Sequence, residues 1–193
     1  MDHAAALGSK AGYATLVEFA PLAVRHVLVP HDWRFLVAHS LQTAEKSGAA
    51  REEFNLRRAA GDAALARLGL RSYREATAQL AENLDAGPER DTFLHTVGEA
   101  LRVRAAVEAM ERDDCTTFGR LLAESHASLR DRLRVSCAAL DRLVEAAMEA
   151  GAVGARLTGA GFGGCAVVLC RAQEAASVRR GIIERFYVRP SRV

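Results

Sequence analysis

The run Gly154-Ala155-Arg156-Leu157-Thr158-Gly159-Ala160-Gly161-Phe162-Gly163-Gly164-Cys165 constrains this chain more than any other stretch. Five of its twelve residues are glycine, and the apolar run Ala166-Val167-Val168-Leu169 follows at once. Glycine at this density permits positive φ and lets backbone press against a ligand or another backbone. Successive inward N–H groups in such a run suit an anionic oxygen. The spacing Gly159-x-Gly161-x-x-Gly164 matches the dinucleotide fingerprint, which needs a strand before the glycines and a helix after them. Here the order is reversed. A helical pattern (Leu140, Leu143, Val144, Ala147, Met148) comes before and a strand after, and no Gly-Lys-Ser/Thr run marks a Walker A loop. A tight packed turn between helix and strand is the plain alternative.

Composition bounds the rest. At 193 residues the chain can bury one substantial core, or a domain and part of another. A formal charge of +2 and a single tryptophan, Trp33, argue against nucleic acid. No apolar run approaches the ~20 residues of a membrane span. Cys115, Cys137, Cys165 and Cys170 form no C-x-x-C pair, and His26 and His31 have no cysteine pair beside them, so zinc is not expected. Buried free thiols are expected, and with no export signal the reading is cytoplasmic.

In chain order, residues 2–8 read as a short helix ending at Gly8. Three strands follow: Tyr13–Phe19, Val24–Val29 and Trp33–Ser40, the last with an apolar centre that predicts burial. Their short connections predict a meandering sheet. A polar connector around residues 42–48 leads into helices over about 52–68, 93–110, 117–133 and from the N-cap Ser136 to Gly151. Leu56, Ala60, Ala63, Ala64 and Leu68 share one face of the first, with Phe54 at its edge. Leu94, Val97, Leu101 and Ala105 share a face of the second. After the glycine run come a strand at Ala166–Cys170, a helix over about 173–184 and a last strand at Phe186–Val188. The expectation is an α+β fold, with helices packed on one side of a partly antiparallel sheet.

Several segments together resemble the galactokinases of the GHMP kinase superfamily. They are Glu124-Ser125-His126-Ala127-Ser128-Leu129-Arg130-Asp131, Val135-Ser136-Cys137 with Leu140-Asp141, Thr158 to Cys165, Glu53 to Arg58, and the opening Met1-Asp2. The resemblance covers essentially the whole chain. It implies that the glycine run is the third family motif, while the acidic sugar-binding segment and the Ser-rich phosphate loop would precede Met1. The chain then reads as the C-terminal half of a galactokinase. Residues 1–45 are a remnant of the N-terminal kinase domain, and residues 46–193 resemble the ferredoxin-like C-terminal domain of these kinases.

The resemblance further implies ATP and Mg²⁺ as cofactors, galactose or a related sugar as substrate, and a separately encoded N-terminal half as a partner. Asp2 matches the family's catalytic aspartate, which accepts or orients the proton of the anomeric hydroxyl. Gly159, Ala160, Gly161, Gly163 and Gly164 would line the site beside the nucleotide. Phe54 stands where the family carries a sugar-contacting tyrosine, either packing on the sugar or joining its helix's core contact. His3 replaces a glutamine. His126 beside Ser125 has no recognisable acid partner, and a helix-packing or hydrogen-bonding role is expected rather than a nucleophile pair. Lys46 is either a phosphate contact or a solvated charge. The alternative to a kinase that needs its missing half is a non-catalytic sugar-sensing or partner-binding module.

Overall fold

The computed structural model describes residues 6–19, 21–43 and 48–188. Asp2, His3, Lys46 and the tail from residue 189 lie outside them. Among the described residues the strands and the longer helices run in this order: β1 (Tyr13–Phe19), β2 (Leu22–Leu28), β3 (Trp33–His39), α1 (Ala49–Arg67), α2 (Pro88–Glu111), α3 (Cys115–Asp131), α4 (Ala138–Glu149), β4 (Gly154–Leu157), β5 (Cys165–Arg171) and α5 (Ala175–Ile182).

The strands form two separate antiparallel sheets, a β1-β2 hairpin and a three-stranded sheet in the order β3-β5-β4. The expected three-strand meander is therefore corrected, because β3 leaves the hairpin and lies along β5. The cause sits at its first residues. The Asp32 backbone accepts from Ala172 N–H at 2.6 Å, and its carboxylate pairs with Arg171 at 2.7 Å. Trp33 is buried and its Nε1–H donates to Asp113 Oδ1 at 2.6 Å. Nor is β3 a buried strand. It is an edge strand on which Phe35 and Val37 are exposed.

The α+β class holds, with α4 and α5 packed on one face of the sheet. Leu143, Val144 and Ala147 of α4 meet Val178 and Ile182 of α5 over Ala155, Ala166, Val168 and Cys170. The other face is covered as well. Leu169 and Trp33 pack with Met110 of α2 and with Cys115 and Phe118 of α3. In β5, alternate side chains thus feed two cores. The approach of α3 to β4 is backbone on backbone: a Cβ on Gly119 would lie 2.2 Å from the Val153 carbonyl oxygen.

Helix ends differ from expectation in instructive ways. Among the described residues, helix α1 buries apolar side chains through its C-terminal half, around Ala64, Leu65 and Leu68, and Leu56 and Phe54 are exposed. On α2, Leu101 is exposed while Phe93 and Val97 are buried. Ser136 does not cap α4; the N-cap is Cys137, and the Ser136 hydroxyl turns instead to the Asp141 carboxylate. The expected strand at Phe186–Val188 is a π-helical extension of α5, Ile183–Tyr187. Ile182, Phe186 and Tyr187 recur at helical spacing and pack on the first core, so burial favours continuing the helix. All four cysteines are free, Cys115 and Cys170 buried and the other two half-buried.

Candidate active site

The glycine run divides in two. Its first four residues form β4, and residues 158–164 make the turn into β5. Thr158 N–H donates to Cys165 O at 2.9 Å and closes the turn. Gly159, Gly161, Gly163 and Gly164 all have positive φ, as does Phe162 (59°), a conformation uncommon for an aromatic residue. Gly161 is needed for space as well as conformation, since a Cβ there would lie 2.1 Å from Val135 O. That carbonyl also accepts the Phe162 N–H at 2.7 Å. The turn is therefore seated on the loop between α3 and α4.

The end of β3 supports it from another side. Ser40 N–H donates to Gly164 O, and Gly164 N–H to Gln42 O, each at 2.8 Å. The N–H groups of Thr158, Phe162 and Gly164 are thus engaged. Those of Gly159, Ala160, Gly161 and Gly163 find no acceptor among the described residues, and Gly159 and Ala160 are exposed. Free N–H donors at an exposed positive-φ turn suit an anionic or carbonyl oxygen.

Arg57 ties α1 to the same place. Its Nε donates to Leu133 O at 2.6 Å and its Nη2 to Arg134 O at 3.2 Å, while Glu53 one turn earlier holds Nη1. The guanidinium lies 5.9 Å from the centroid of the Phe162 ring. A cavity of about 340 Å³ opens beside it, lined by Glu53, Leu56 and Arg57 with Asp91 of α2 and Arg132 to Arg134. Phe54 projects from α1 three residues before Arg57 and is 49% exposed, so its ring is free for another contact.

Behind the turn lie two partly buried polar clusters. His126 is buried; its Nδ1 accepts the Leu157 N–H at 3.4 Å and its Nε2 faces Asp141 Oδ1 at 3.3 Å. The acid partner missing from the sequence reading is thus Asp141, and the hydrogen-bonding role expected for His126 is the one observed. Burial lowers its pKa, against a smaller opposing effect of the Asp141 charge. In the second cluster, Glu99 accepts from Ser125 Oγ at 2.7 Å and Arg102 Nε at 2.5 Å, and Arg156 Nη1 reaches Ser125 Oγ at 2.8 Å. Burial would raise the Glu99 carboxyl, but hydrogen bonds from Ser125 and Arg102 and the two arginine charges outweigh it and hold it below its ordinary value.

The structure therefore brings the five turn residues together with Arg57 and the 133–136 loop. Sequence reading missed Arg57, Glu99, Ser136, Asp141 and Arg156. The i,i+4 pair Glu53/Arg57 was visible as a helix pair; nothing local announced the contact between Arg156 and Glu99, 57 residues apart. Among the described residues no cluster of His, Cys, Asp and Glu could hold a metal ion, so these residues alone do not supply a Mg²⁺ site. No described helix is long and apolar enough to cross a membrane.

The fold and this turn are similar to those of one class of proteins. Residues 106–188 match the family model described as GHMP kinases C terminal. Mevalonate kinase of L. major, solved with R-mevalonate, shares the fold at 20% identity with a TM-score of 0.59 over 86% of this chain and 42% of that one. Within the class the likeness is to galactokinases. The Bos taurus galactokinase is 39% identical over 97% of this chain and 48% of its own length, and that of Streptomyces coelicolor 34% identical over 96% and 49%. Lactococcus lactis galactokinase, solved in complex with galactose, is 28% identical with a TM-score of 0.81 over 91% of this chain and 47% of that one. Residues 106–188 are thus similar to a GHMP kinase C-terminal domain, and the chain as a whole resembles the C-terminal half of a galactokinase; it spans about half the length of the curated relatives it matches.

Proposed function

We propose that this chain is the C-terminal portion of an ATP-dependent galactokinase, transferring the γ-phosphoryl group of ATP to the anomeric hydroxyl of galactose. The observation that carries the reading is the seated glycine turn, with its exposed N–H groups at Gly159 and Ala160, in a chain 39% identical to a galactokinase over nearly its whole length. In this reading Asp2, outside the described residues, accepts the sugar hydroxyl proton as the oxygen attacks phosphorus and ADP leaves. Gly159, Ala160, Gly161, Gly163 and Gly164 bring backbone against the phosphates, and Phe54 packs on the sugar. Mg²⁺, held by groups beyond those described here, would neutralise phosphate charge.

An N-terminal half, contiguous or separately encoded, supplies the acidic sugar-binding segment and the Ser-rich phosphate loop. Pairing places Phe19, Leu22, Val24 and Leu28 on one face of the β1-β2 hairpin, and all four are exposed. That apolar face is the surface the missing half covers. We assign residues 1–45 to the N-terminal domain and 46–193 to the C-terminal domain, with β3 reaching across to pair with β5. Free thiols fit work in the reducing cytoplasm.

The test is phosphorylation of galactose by the chain, assayed with and without an added galactokinase N-terminal half. Activity only on addition, lost in Asp2→Ala, is the expected result. Activity from the chain alone overturns the need for the second half. No transfer in either case, from folded protein, moves the reading to a sugar-sensing or partner-binding module.

A further inference from the structure

Phe162 is the one non-glycine residue of the turn at positive φ, and its N–H is held by Val135 O. That carbonyl therefore seats the middle of the turn, while Ser40 and Gln42 hold its end at Gly164. Val135 is buried and its own N–H donates to Leu129 O at 3.0 Å. The next residue, Ser136, donates its hydroxyl to Asp141 Oδ1 at 2.5 Å. The same oxygen faces His126 Nε2, and the opposite ring nitrogen receives the N–H of Leu157, the last residue of β4 before the turn begins. A closed circuit results: from Leu157 through His126 and Asp141 to Ser136 and Val135, and back through the carbonyl to Phe162. One imidazole thus links the entry of the glycine turn to the loop on which Phe162 is seated.

We infer that His126 is a positioning residue, which with Asp141 and Ser136 sets the register of the glycine turn against the 133–136 loop. The chemistry suits histidine in its neutral form. Nδ1 must accept and Nε2 must donate, a tautomer assigned here from the partners on either side. An imidazolium would present an N–H to the Leu157 N–H and lose that bond. The charged groups around the ring are Asp141 from α4, Arg156 from β4, and Arg130 and Asp131 from the end of its own helix. Any consequence for phosphoryl transfer rests on the kinase reading; the effect on the turn does not.

The test is amide hydrogen exchange on the full chain, with His126→Leu, Asp141→Asn and Ser136→Ala. In His126→Leu and Asp141→Asn, protection at Phe162 is expected to fall at least tenfold, while Val168 and Leu169 in β5 stay within twofold of the parent. Ser136→Ala touches only a half-buried hydroxyl, leaves the core intact and should lower Phe162 protection alone. Leu157 should lose protection in His126→Leu and, in the unsubstituted chain, as pH falls below the ordinary histidine range. Unchanged Phe162 protection, or a fall shared equally by Val168 and Leu169, overturns the assignment. Where the chain with an N-terminal half transfers phosphate, Ser136→Ala should lower kcat more than it raises KM. A kcat within twofold of the parent removes the catalytic consequence. Absence of transfer from the unsubstituted pair refutes the kinase reading and leaves the exchange result standing.

Discussion

Gly159 and Gly161 differ in one respect that a pair of alanine substitutions isolates. Their φ values are 82° and 84°, so an added methyl group meets nearly the same backbone penalty at each, about 1–2 kcal/mol for an L-residue in the left-handed region. Loss of glycine freedom in the unfolded chain offsets roughly 0.4–1 kcal/mol of it. Gly159→Ala, whose Cβ meets nothing within 4 Å, should therefore cost about 1 kcal/mol. In Gly161→Ala the Cβ would lie 2.1 Å from Val135 O, where an ordinary C···O contact needs about 3.3 Å. The turn must lift by roughly 1 Å, which breaks the 2.7 Å bond from Phe162 N–H to a carbonyl in a buried residue. Leaving that oxygen unpaired costs about 1–3 kcal/mol, and residual overpacking about as much again. Gly161→Ala should thus exceed Gly159→Ala by at least ~2 kcal/mol, roughly thirtyfold in the folded-to-unfolded ratio. Urea unfolding of both variants, followed by circular dichroism at matched m-value, measures the difference, and exchange at Phe162 shows whether the turn has detached locally. If the two variants lie within ~0.5 kcal/mol and Phe162 stays protected, the close approach is not what holds the turn.

Other substitutions and conditions test the surrounding structure. Gly119→Ala gains helix propensity of ~1 kcal/mol, but its Cβ would meet Val153 O at 2.2 Å between α3 and β4; the clash should win and lower Tm by several degrees. Trp33→Phe leaves Asp113 without its indole donor and removes volume beside Phe118; a loss of about 2–3 kcal/mol in urea unfolding is expected. Phe54→Tyr restores the hydroxyl implied by the family resemblance at a half-exposed site. Stability should stay within ~0.5 kcal/mol, while on the proposed kinase function KM for galactose, assayed with an added N-terminal half, falls about two- to tenfold. Burial lowers the pKa of both His95 and His126, so the unfolded chain binds protons first as pH falls; stability is full above pH ~6.5 and declines below it, until the folded-state values are passed. Thermal melts from pH 7.5 to 5 check this, and a flat Tm over that range would count against neutral buried imidazoles.

Helices were legible where periodicity and burial agree. Helix α4 buries Leu143, Val144 and Ala147 between the sheet and α5 and Leu140 against Leu129, Val135 and Leu157, as its pattern requires, while Met148 at the end of the pattern is exposed. Helices α1 and α2 read less well. The first half of α1 has apolar residues at helical spacing but among the described residues is tied down through Arg57, so pattern without an apolar neighbour misplaced Leu56. For β3, short turns argued for a meander; the decision was made by Asp32 and Trp33, whose partners Arg171 and Asp113 lie far along the chain. Local propensity sets which residues can be strand, and non-local pairing sets which strand lies beside them.

The site divides along the same line. Glycine density marked the turn because positive φ is a local demand that composition reveals. What seats the turn is backbone, the Val135 carbonyl at Phe162 and the Ser40 and Gln42 peptides at Gly164, with no signature in side-chain identity. The His126 circuit was only partly visible: His126, Ser136 and Asp141 all fall in the segments that carry the family resemblance, yet their partnership needs α3, α4 and β4 already in place. This order has a physical consequence. The turn can reach its seated form only after those three elements have packed, so its opening should require less free energy than unfolding of the β3-β5-β4 sheet. A turn that is the last part to be held is also the part that ligand contacts can close most readily, and in this chain the imidazole of His126 stands between the two conditions.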